Sequence, residues 1–265
     1  MNEMKLTALY RYPVKSMRGE SLQRMEVDAR GPAFDRHWMV VNEKGRFLTQ
    51  RELPRMALIR PEVVEGGLRL RAPGMPELEA PSPSFSESVE VQVWKDLCRA
   101  LPMGEAADRW LREFLGLPCR LVEFPREEHR RVDPHYATAG DETEFSDGFP
   151  FLLISQGSLD DLNRRMPRPL PMERFRPNLV VEGCEPYAED EWKRIRIGDI
   201  PFRVVKPCSR CVIPTVNPET GEREGNEPLK TLMTYRKEGG KVFFGQNLIH
   251  DAEGVLEVGM PVEIL

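Results

Sequence analysis

At 265 residues, with 40% hydrophobic and 31% charged residues, the chain has the composition of a globular protein that buries a real core. The net charge of −5, with lysine and arginine interleaved among acids, argues against a general polyanion binder, so no nucleic-acid partner is expected. The five cysteines (Cys98, Cys119, Cys184, Cys208 and Cys211) are odd in number and sparse, which speaks against a disulfide scaffold and for a reducing compartment. The N-terminus "MNEMKLTALYRYPVKSMRG" has no apolar stretch of signal-peptide type, and no run approaches the roughly 20 apolar residues that span a bilayer. The expected location is cytoplasmic, with no membrane partner.

In chain order, residues 4–12 read as a strand with Leu6, Ala8 and Tyr10 on one face, interrupted by Pro13 and followed by a "VKSMRGE" loop. "LQRMEVDARG" alternates like a second strand. "FDRHWMVVNEKGRFLTQRE" reads as a hairpin whose "NEKG" suits a tight turn at Asn42 and Gly45. "ALIRPEVVEG" and "LRLRAPG" follow as strands, residues 73–88 as a surface loop rich in Pro, Ser and Glu, and "SVEVQVWKDLCRA" as renewed alternation. "EAADRWLREFLGL" is the first clear helix, with Ala107, Trp110, Leu111, Phe114 and Leu115 in one stripe and Gly116 near its end.

"FPREEHRRVDPHYATAGDETEFSDGFP" runs for about 27 residues without periodicity, longer than most connections, so it is expected to be a disordered segment or a functional lid. "FLLISQGSLDDLNRRM" reads as buried strand, turn and helix, with Ser158 as N-cap and Asp161 at the third helical position. "RFRPNLVVEG" is a strand, "WKRIRIGDIPFRVVKP" a hairpin, and "NEPLKTLMTYRK" a short helix with Asn226 and Pro228 at its start. "KVFFGQNLIHD" and "VLEVGMPVEIL" close the chain as strands. Mostly strands with about three helices, the pattern points to a β-barrel or sandwich with helical additions.

"KPCSRCVIPTVNPETGE" sets Cys208 and Cys211 three positions apart. Structural zinc needs a second pair of ligands, and the four histidines are scattered. A redox pair needs a helix beginning at the motif, which Pro214 opposes. Two buried structural cysteines remain the plain reading. Lys206 and Arg210 make the loop electropositive, which favours a thiolate, and a thiolate selects soft or high-valent metals. Other loops supply anion and amide chemistry: Lys15 and Ser16 in "YPVKS", Arg36 in "FDRHW", Ser155 and Ser158 in "ISQGS", Arg176 and Asn178 in "FRPN", and Gln246 and Asn247 in "FGQN". Each alone is more often a solvated side chain, a cap or a turn; together they would make a basket for phosphate and a heterocycle.

These stretches, with "FDRHWMVV", "FPFLLISQGSLDDLN", "RFRPNLVV", "YAEDEWKRIRIGD" and "CSRCVIPTVNPETGE" in that order, resemble the MOSC family, named for the C-terminal domain of molybdenum cofactor sulfurase. The match is nearest to the branch of the mitochondrial amidoxime reducing component and its bacterial relatives, and it covers nearly the whole chain. The resemblance implies a mixed α/β, β-rich fold: a MOSC β-barrel domain over 126–265, an N-terminal α/β accessory region over 37–125 packed on it, and strands of 1–36 that contribute to the cofactor site. It implies a molybdenum-molybdopterin cofactor, with Cys211 as the metal's one protein ligand and Cys208 a neighbour. Lys15, Ser16, Arg36, Ser155, Arg176 and Asn178 would grip the pterin and its phosphate, joined by Ser158, Thr215, Gln246 and Asn247.

The implied reaction is the reduction of N-hydroxylated compounds (amidoximes, hydroxylamines, N-hydroxylated base analogues) to amines or amidines. Asp190 in "YAEDEW" reads as a capping or turn acid. No ferredoxin-like domain, haem motif or flavin motif is present, so electrons are expected from a separate ferredoxin-, flavoprotein- or cytochrome b5-like protein. The alternative is a carrier that holds the cofactor or a persulfide sulfur without reducing anything itself.

Overall fold

The computed structural model describes residues 3–84 and 87–265. Its largest element is a nine-stranded sheet in the order Glu20–Leu22, Lys5–Arg11, Leu179–Glu182, Phe151–Ser155, Lys241–His250, Ile200–Ser209, Arg194–Ile197 and Val262–Ile264, with Lys237–Glu238 paired beside Lys241–His250. The sheet curls until its end meets its beginning. Lys5 bridges Pro261, Leu6 N–H donates to Met260 O at 2.9 Å, and Gly259 N–H donates to Leu6 O at 2.7 Å. The parallel pair within it, Phe151–Ser155 against Leu179–Glu182, is joined through the helix Gln156–Arg165, because a parallel connection needs a crossover.

Alternation explains the interior. Phe151 and Leu153, Leu179 and Val181, and Ile195 and Ile197 sit two residues apart on their strands and so face one core. The intervening Ile154 and Val180 face outward and are covered by Leu159 and Leu162 of the helix Gln156–Arg165. Gly245 lets the long Lys241–His250 strand pass beside its neighbour: its φ is +84°, and a Cβ there would lie 2.9 Å from Leu153 O.

Residues beyond the first strands build a second layer. Trp38–Val41, Arg120–Glu123, Asp96–Pro102 and Val89–Val93 make a four-stranded sheet, and Arg60–Val64, Gly67–Arg71 and Leu78–Pro81 a three-stranded one. The helix Glu105–Leu115 ends at Gly116 in the left-handed region and buries its expected stripe against Leu68, Leu70, Ala80 and Leu121. The start and finish of the chain meet again where Arg24–Asp28 pairs with Gly254–Glu257. The protein is β-rich and mixed α/β. Among the described residues no helix is long and apolar enough to cross a membrane.

Several local expectations are corrected. The stretch 73–88 is not all loop: Leu78–Pro81 pairs with Gly67–Arg71, while residues 85 and 86 lie outside the described residues. The cap of the second helix is Ser155, whose hydroxyl accepts from Ser158 N–H at 3.1 Å; Ser158 is inside the first turn, and Asp161 sits deeper in the helix, bonded to Arg165. The aperiodic segment 124–150 has no regular strand or helix, yet it is tightly held. Phe124, Val132 and Phe145 are buried, Arg130 donates to the carbonyls of Glu144 and Ser146, and Arg203 pairs with Asp141 at 2.8 Å. Its last residues form part of a cavity wall.

Candidate functional site

A cavity of about 410 Å³ opens where the "YPVKS", "FDR", "SDGF", "FRPN" and "CSRC" loops converge. Seven of the sequence-derived site residues line it: Lys15, Ser16, Arg36, Arg176, Asn178, Asn247 and Cys211. The backbone marks the same place. Non-glycine residues with positive φ are uncommon and cost about 1–3 kcal/mol each, and of the six in the described chain four line this cavity: Ser16, Arg36, Trp94 and Arg176.

The cations are held close together. Arg36 and Arg176 both lie against the ring of buried Tyr12, their guanidinium carbons 4.3 and 4.2 Å from its centroid. Arg36 is bonded to Asp35 and donates to Asn178 Oδ1 at 3.3 Å. Arg176 donates to Met17 O at 2.6 Å, and no carboxylate lies within ion-pair distance of it among the described residues. Burial, then the neighbouring charge of Arg36, lowers the Arg176 pKa to about 10. Asn178 is spent on the protein: it also accepts from Leu152 N–H and donates to Tyr10 O, so it positions Arg36. Lys15 is buried and donates to Phe145 O at 2.8 Å and to Asp147 Oδ1 at 2.5 Å. Burial lowers its pKa to about 8 against the opposing pull of Asp147.

Cys208 and Cys211 are both free thiols, half-buried. Arg210 donates to Cys208 Sγ at 3.2 Å and to Phe175 O at 2.7 Å, which pins the loop between the two cysteines. Ile213–Thr215 is a single 3₁₀ turn after the motif, so no long helix starts there. Among the described residues no three His, Cys, Asp or Glu side chains cluster as a metal set.

Four sequence-derived residues lie outside the wall, each with its polar atoms bonded elsewhere. Ser155 and Ser158 are fully buried, share a 2.8 Å hydroxyl contact, and bind Glu189 through Ser155 N–H and Ser158 Oγ. Thr215 donates its hydroxyl to Val212 O. Gln246 donates to Asp190 Oδ1 at 2.7 Å, and Asp190 also pairs with Arg236. Gln246 and Asn247 are adjacent on one strand and point to opposite faces, so only Asn247 reaches the cavity.

Sequence reasoning missed Asp147, Trp94, Arg51 and Thr49, which also line the cavity. The signal for Asp147 was the length of its aperiodic segment; Trp94 gave none beyond a hairpin tip. Desolvation raises the Asp147 carboxyl's pKa, but Lys15 and the Trp94 N–H outweigh this and hold it below the usual carboxylate range.

The profile of the MOSC N-terminal beta barrel domain matches residues 3–118, and that of the MOSC domain matches residues 140–263. Mitochondrial amidoxime-reducing component 1 of Mus musculus is 36% identical over 277 aligned positions, covering 97% of this chain and 81% of its own length. The Homo sapiens component 1 is 36% identical over 97% of this chain and 82% of its own length. The Rattus norvegicus component 2 is 35% identical over 95% and 80%. The chain therefore belongs to the MOSC family, in the branch of the amidoxime-reducing components.

Proposed function

We propose that this protein binds a molybdenum-molybdopterin cofactor and reduces N-hydroxylated compounds to amines or amidines, with electrons from a separate protein. The observation that carries this reading is the crowding of Arg36 and Arg176 beside the Cys211 loop in one cavity. Two guanidiniums held against one ring, one of them without a carboxylate, are a site built for an anion. A thiolate at the same cavity suits a soft or high-valent metal that draws its other ligands from its own organic partner. The residues present therefore fit the group.

Cys211 would be the metal's protein ligand. Lys15, Ser16, Arg36, Arg176 and Asn247 would hold the phosphate and heterocycle, with Asn178 fixing Arg36 in place. The bound cofactor supplies two-electron transfer to the N–O bond; two protons complete water and the reduced nitrogen product. Asp147 keeps 63% of its side chain open, and both its hydrogen bonds fall on Oδ1. Its Oδ2 is left to accept an N–H of an amidoxime and orient it. Ser155, Ser158, Thr215 and Gln246 would support the fold around the site, because their polar groups are bonded within the protein.

The relatives' names, amidoxime-reducing components, support the substrate class. The test is molybdenum and zinc per chain for wild type, Cys211→Ala and Cys208→Ala, from a host that makes the cofactor, followed by reduction of an amidoxime with an added electron donor. Near-stoichiometric molybdenum that is lost only in Cys211→Ala, together with amidine formation, is expected. Molybdenum without reduction of any N-hydroxylated compound would favour the carrier reading. Zinc alone would overturn both.

A further inference from the structure

Beside the first cavity lies a second, of about 830 Å³. The two share one wall: Trp94, Asp147, Gly148, Phe149 and Lys206 line both. Trp94 is the key to that wall. It stands at the tip of the hairpin Val89–Val93/Asp96–Pro102 with φ +57°, and it is 44% exposed. Neither the backbone nor the exposure suits a large aromatic. Three contacts from other segments hold it there: its N–H donates to Asp147 Oδ1 at 3.1 Å, the Arg51 guanidinium carbon lies 4.4 Å from its ring centroid, and the Phe47 ring lies 5.2 Å away.

The second cavity has a surplus of positive charge. Asp96 is taken by Arg130 at 2.9 Å and Asp147 by Lys15, which leaves Asp133 as the one lining carboxylate without a lysine or arginine partner among the described residues. Arg46, Lys95, Arg131 and Lys206 also line it, and none of these four has a carboxylate within ion-pair distance among the described residues. Lys206 instead rests its ammonium 4.4 Å from the Tyr136 ring centroid. The result is a space with one aromatic wall and several unneutralised cations, joined directly to the cavity of Cys211.

We propose that this second cavity is a substrate subsite for the distal, anionic end of a planar N-hydroxylated compound. The N-hydroxylated end would lie in the Cys211 cavity, the conjugated ring against Trp94, and a carboxylate or phosphate among Lys95, Arg131 and Arg46. A flat ring gains from stacking on an indole held in place. The cations reward an anion and repel a cation, so the subsite sets specificity in both directions. The proposal rests on the reductase reading above.

The experiment uses the cofactor-loaded protein and three matched probes: benzamidoxime, its 4-carboxy derivative and its 4-trimethylammonium derivative. Binding is read first, without turnover, from tryptophan fluorescence. Trp38, Trp110 and Trp192 are all buried, so a signal from the subsite comes from Trp94 and disappears in Trp94→Phe. We expect the carboxylated probe to bind at least tenfold more tightly than benzamidoxime, and the cationic probe more weakly than either. The same order is expected in KM when turnover is driven by a chemical reductant, with 4-phosphonobenzamidoxime behaving like the carboxylate. In Lys95→Glu/Arg131→Glu the carboxylate-to-neutral ratio should fall to about one or invert; Lys95→Ala/Arg131→Ala covers a fold defect in the first variant. Equal affinity for the three probes, or an unchanged ratio in both double variants, overturns the subsite. If the binding preference is present and none of the probes is reduced, the subsite stands and the reductase reading falls. If all are reduced at equal KM, the reverse holds.

Discussion

Lys15 and Asp147 are 132 residues apart in the chain and meet at 2.5 Å in the cavity wall, with the lysine 5% and the aspartate 63% exposed. The pair ties the first loop of the chain to the end of the aperiodic segment. Its asymmetry sets what a mutation should do. Asp147→Asn removes the counter-charge of a buried ammonium and leaves it only neutral partners, the Phe145 carbonyl and an amide oxygen, while Arg130 and Arg36 already disfavour its charge. A fully buried pair costs about 3–5 kcal/mol to break; with one partner open to water, a loss of about 1–2 kcal/mol is expected in urea unfolding at pH 7. The Lys15 pKa should also fall further below its value of about 8, and acylation of Lys15 in the folded protein should begin at lower pH in the variant.

The two arginines against Tyr12 lead to a second prediction. Arg176 is held at a cost, since burial and Arg36 both oppose its charge. An anion in the cavity relieves that cost. Pyrophosphate should therefore raise the melting temperature of cofactor-free protein, and the rise should drop by at least half in Arg176→Gln. Without anion the variant should lose less than about 1 kcal/mol, because relief of the repulsion offsets the lost bond to Met17 O. A large loss of stability with the anion response intact would assign Arg176 to the scaffold.

Strands with one buried face were legible in the sequence because alternation is a local signal: Arg194–Ile197 and the helix Glu105–Leu115 lie where periodicity places them. For Lys5–Arg11 the strand was legible but its face was not. Leu6, Ala8 and Tyr10 do not share one side, because a bulge between Leu6 and Ala8 turns Leu6 and Leu9 into the sheet's inner core and leaves Ala8 and Tyr10 against the outer cluster of Phe175 and Phe244. Leu78–Pro81 was hidden by flanking prolines and glutamates; its pairing with Gly67–Arg71 comes from tertiary contact and the ion pair of Arg69 with Glu79. The order of segment 124–150 was invisible for a related reason. It is fixed by Arg130 and Arg203 reaching carbonyls and carboxylates, which leaves no period in the chain. Within the site, charge type and loop position pointed to Arg36 and Arg176, but a strand's alternation is what separates Asn247 from Gln246. Trp94 and Asp147 reach the cavity by loop geometry alone.

Ser155, Ser158 and Glu189 offer a test of scaffold against site. Ser158 Oγ donates to buried Glu189 Oε1 at 2.7 Å and accepts from the N–H of half-buried Tyr187 at 2.7 Å, while Glu189 Oε2 has no partner among the described residues. Ser158→Ala strips a donor from a carboxylate that is already underserved. A loss of about 1–3 kcal/mol is expected, read by urea unfolding. Molybdenum content of the folded fraction should match wild type. Reduced molybdenum at unchanged stability would bring Ser158 into the cofactor site.

His37 predicts the pH dependence of the fold. It packs edge-on to Trp38, its Nδ1 lies 2.7 Å from Glu144 Oε2, and its Nε2 lies 3.7 Å from Glu123 Oε1. Burial lowers its pKa, but the hydrogen bonds and charges of Glu123 and Glu144 outweigh burial and lift it to about 9. The folded protein thus binds a proton more tightly than the unfolded chain, where histidine titrates near about 6.5. The stabilisation is complete below that pH and is lost as pH rises through about 9. Lys15 acts with the opposite sign: its folded pKa of about 8 lies below the unfolded value, so its contribution to stability grows with pH between about 8 and 10.5. Between about pH 6.5 and 8 the histidine therefore acts with little opposition from the lysine, and stability should fall with a slope of up to about 1.4 kcal/mol per pH unit. His37→Gln keeps a hydrogen bond to Glu144 and cannot titrate. Urea unfolding across this window should show the slope in wild type and flatten it in the variant; an identical slope in both would place the titrating group elsewhere.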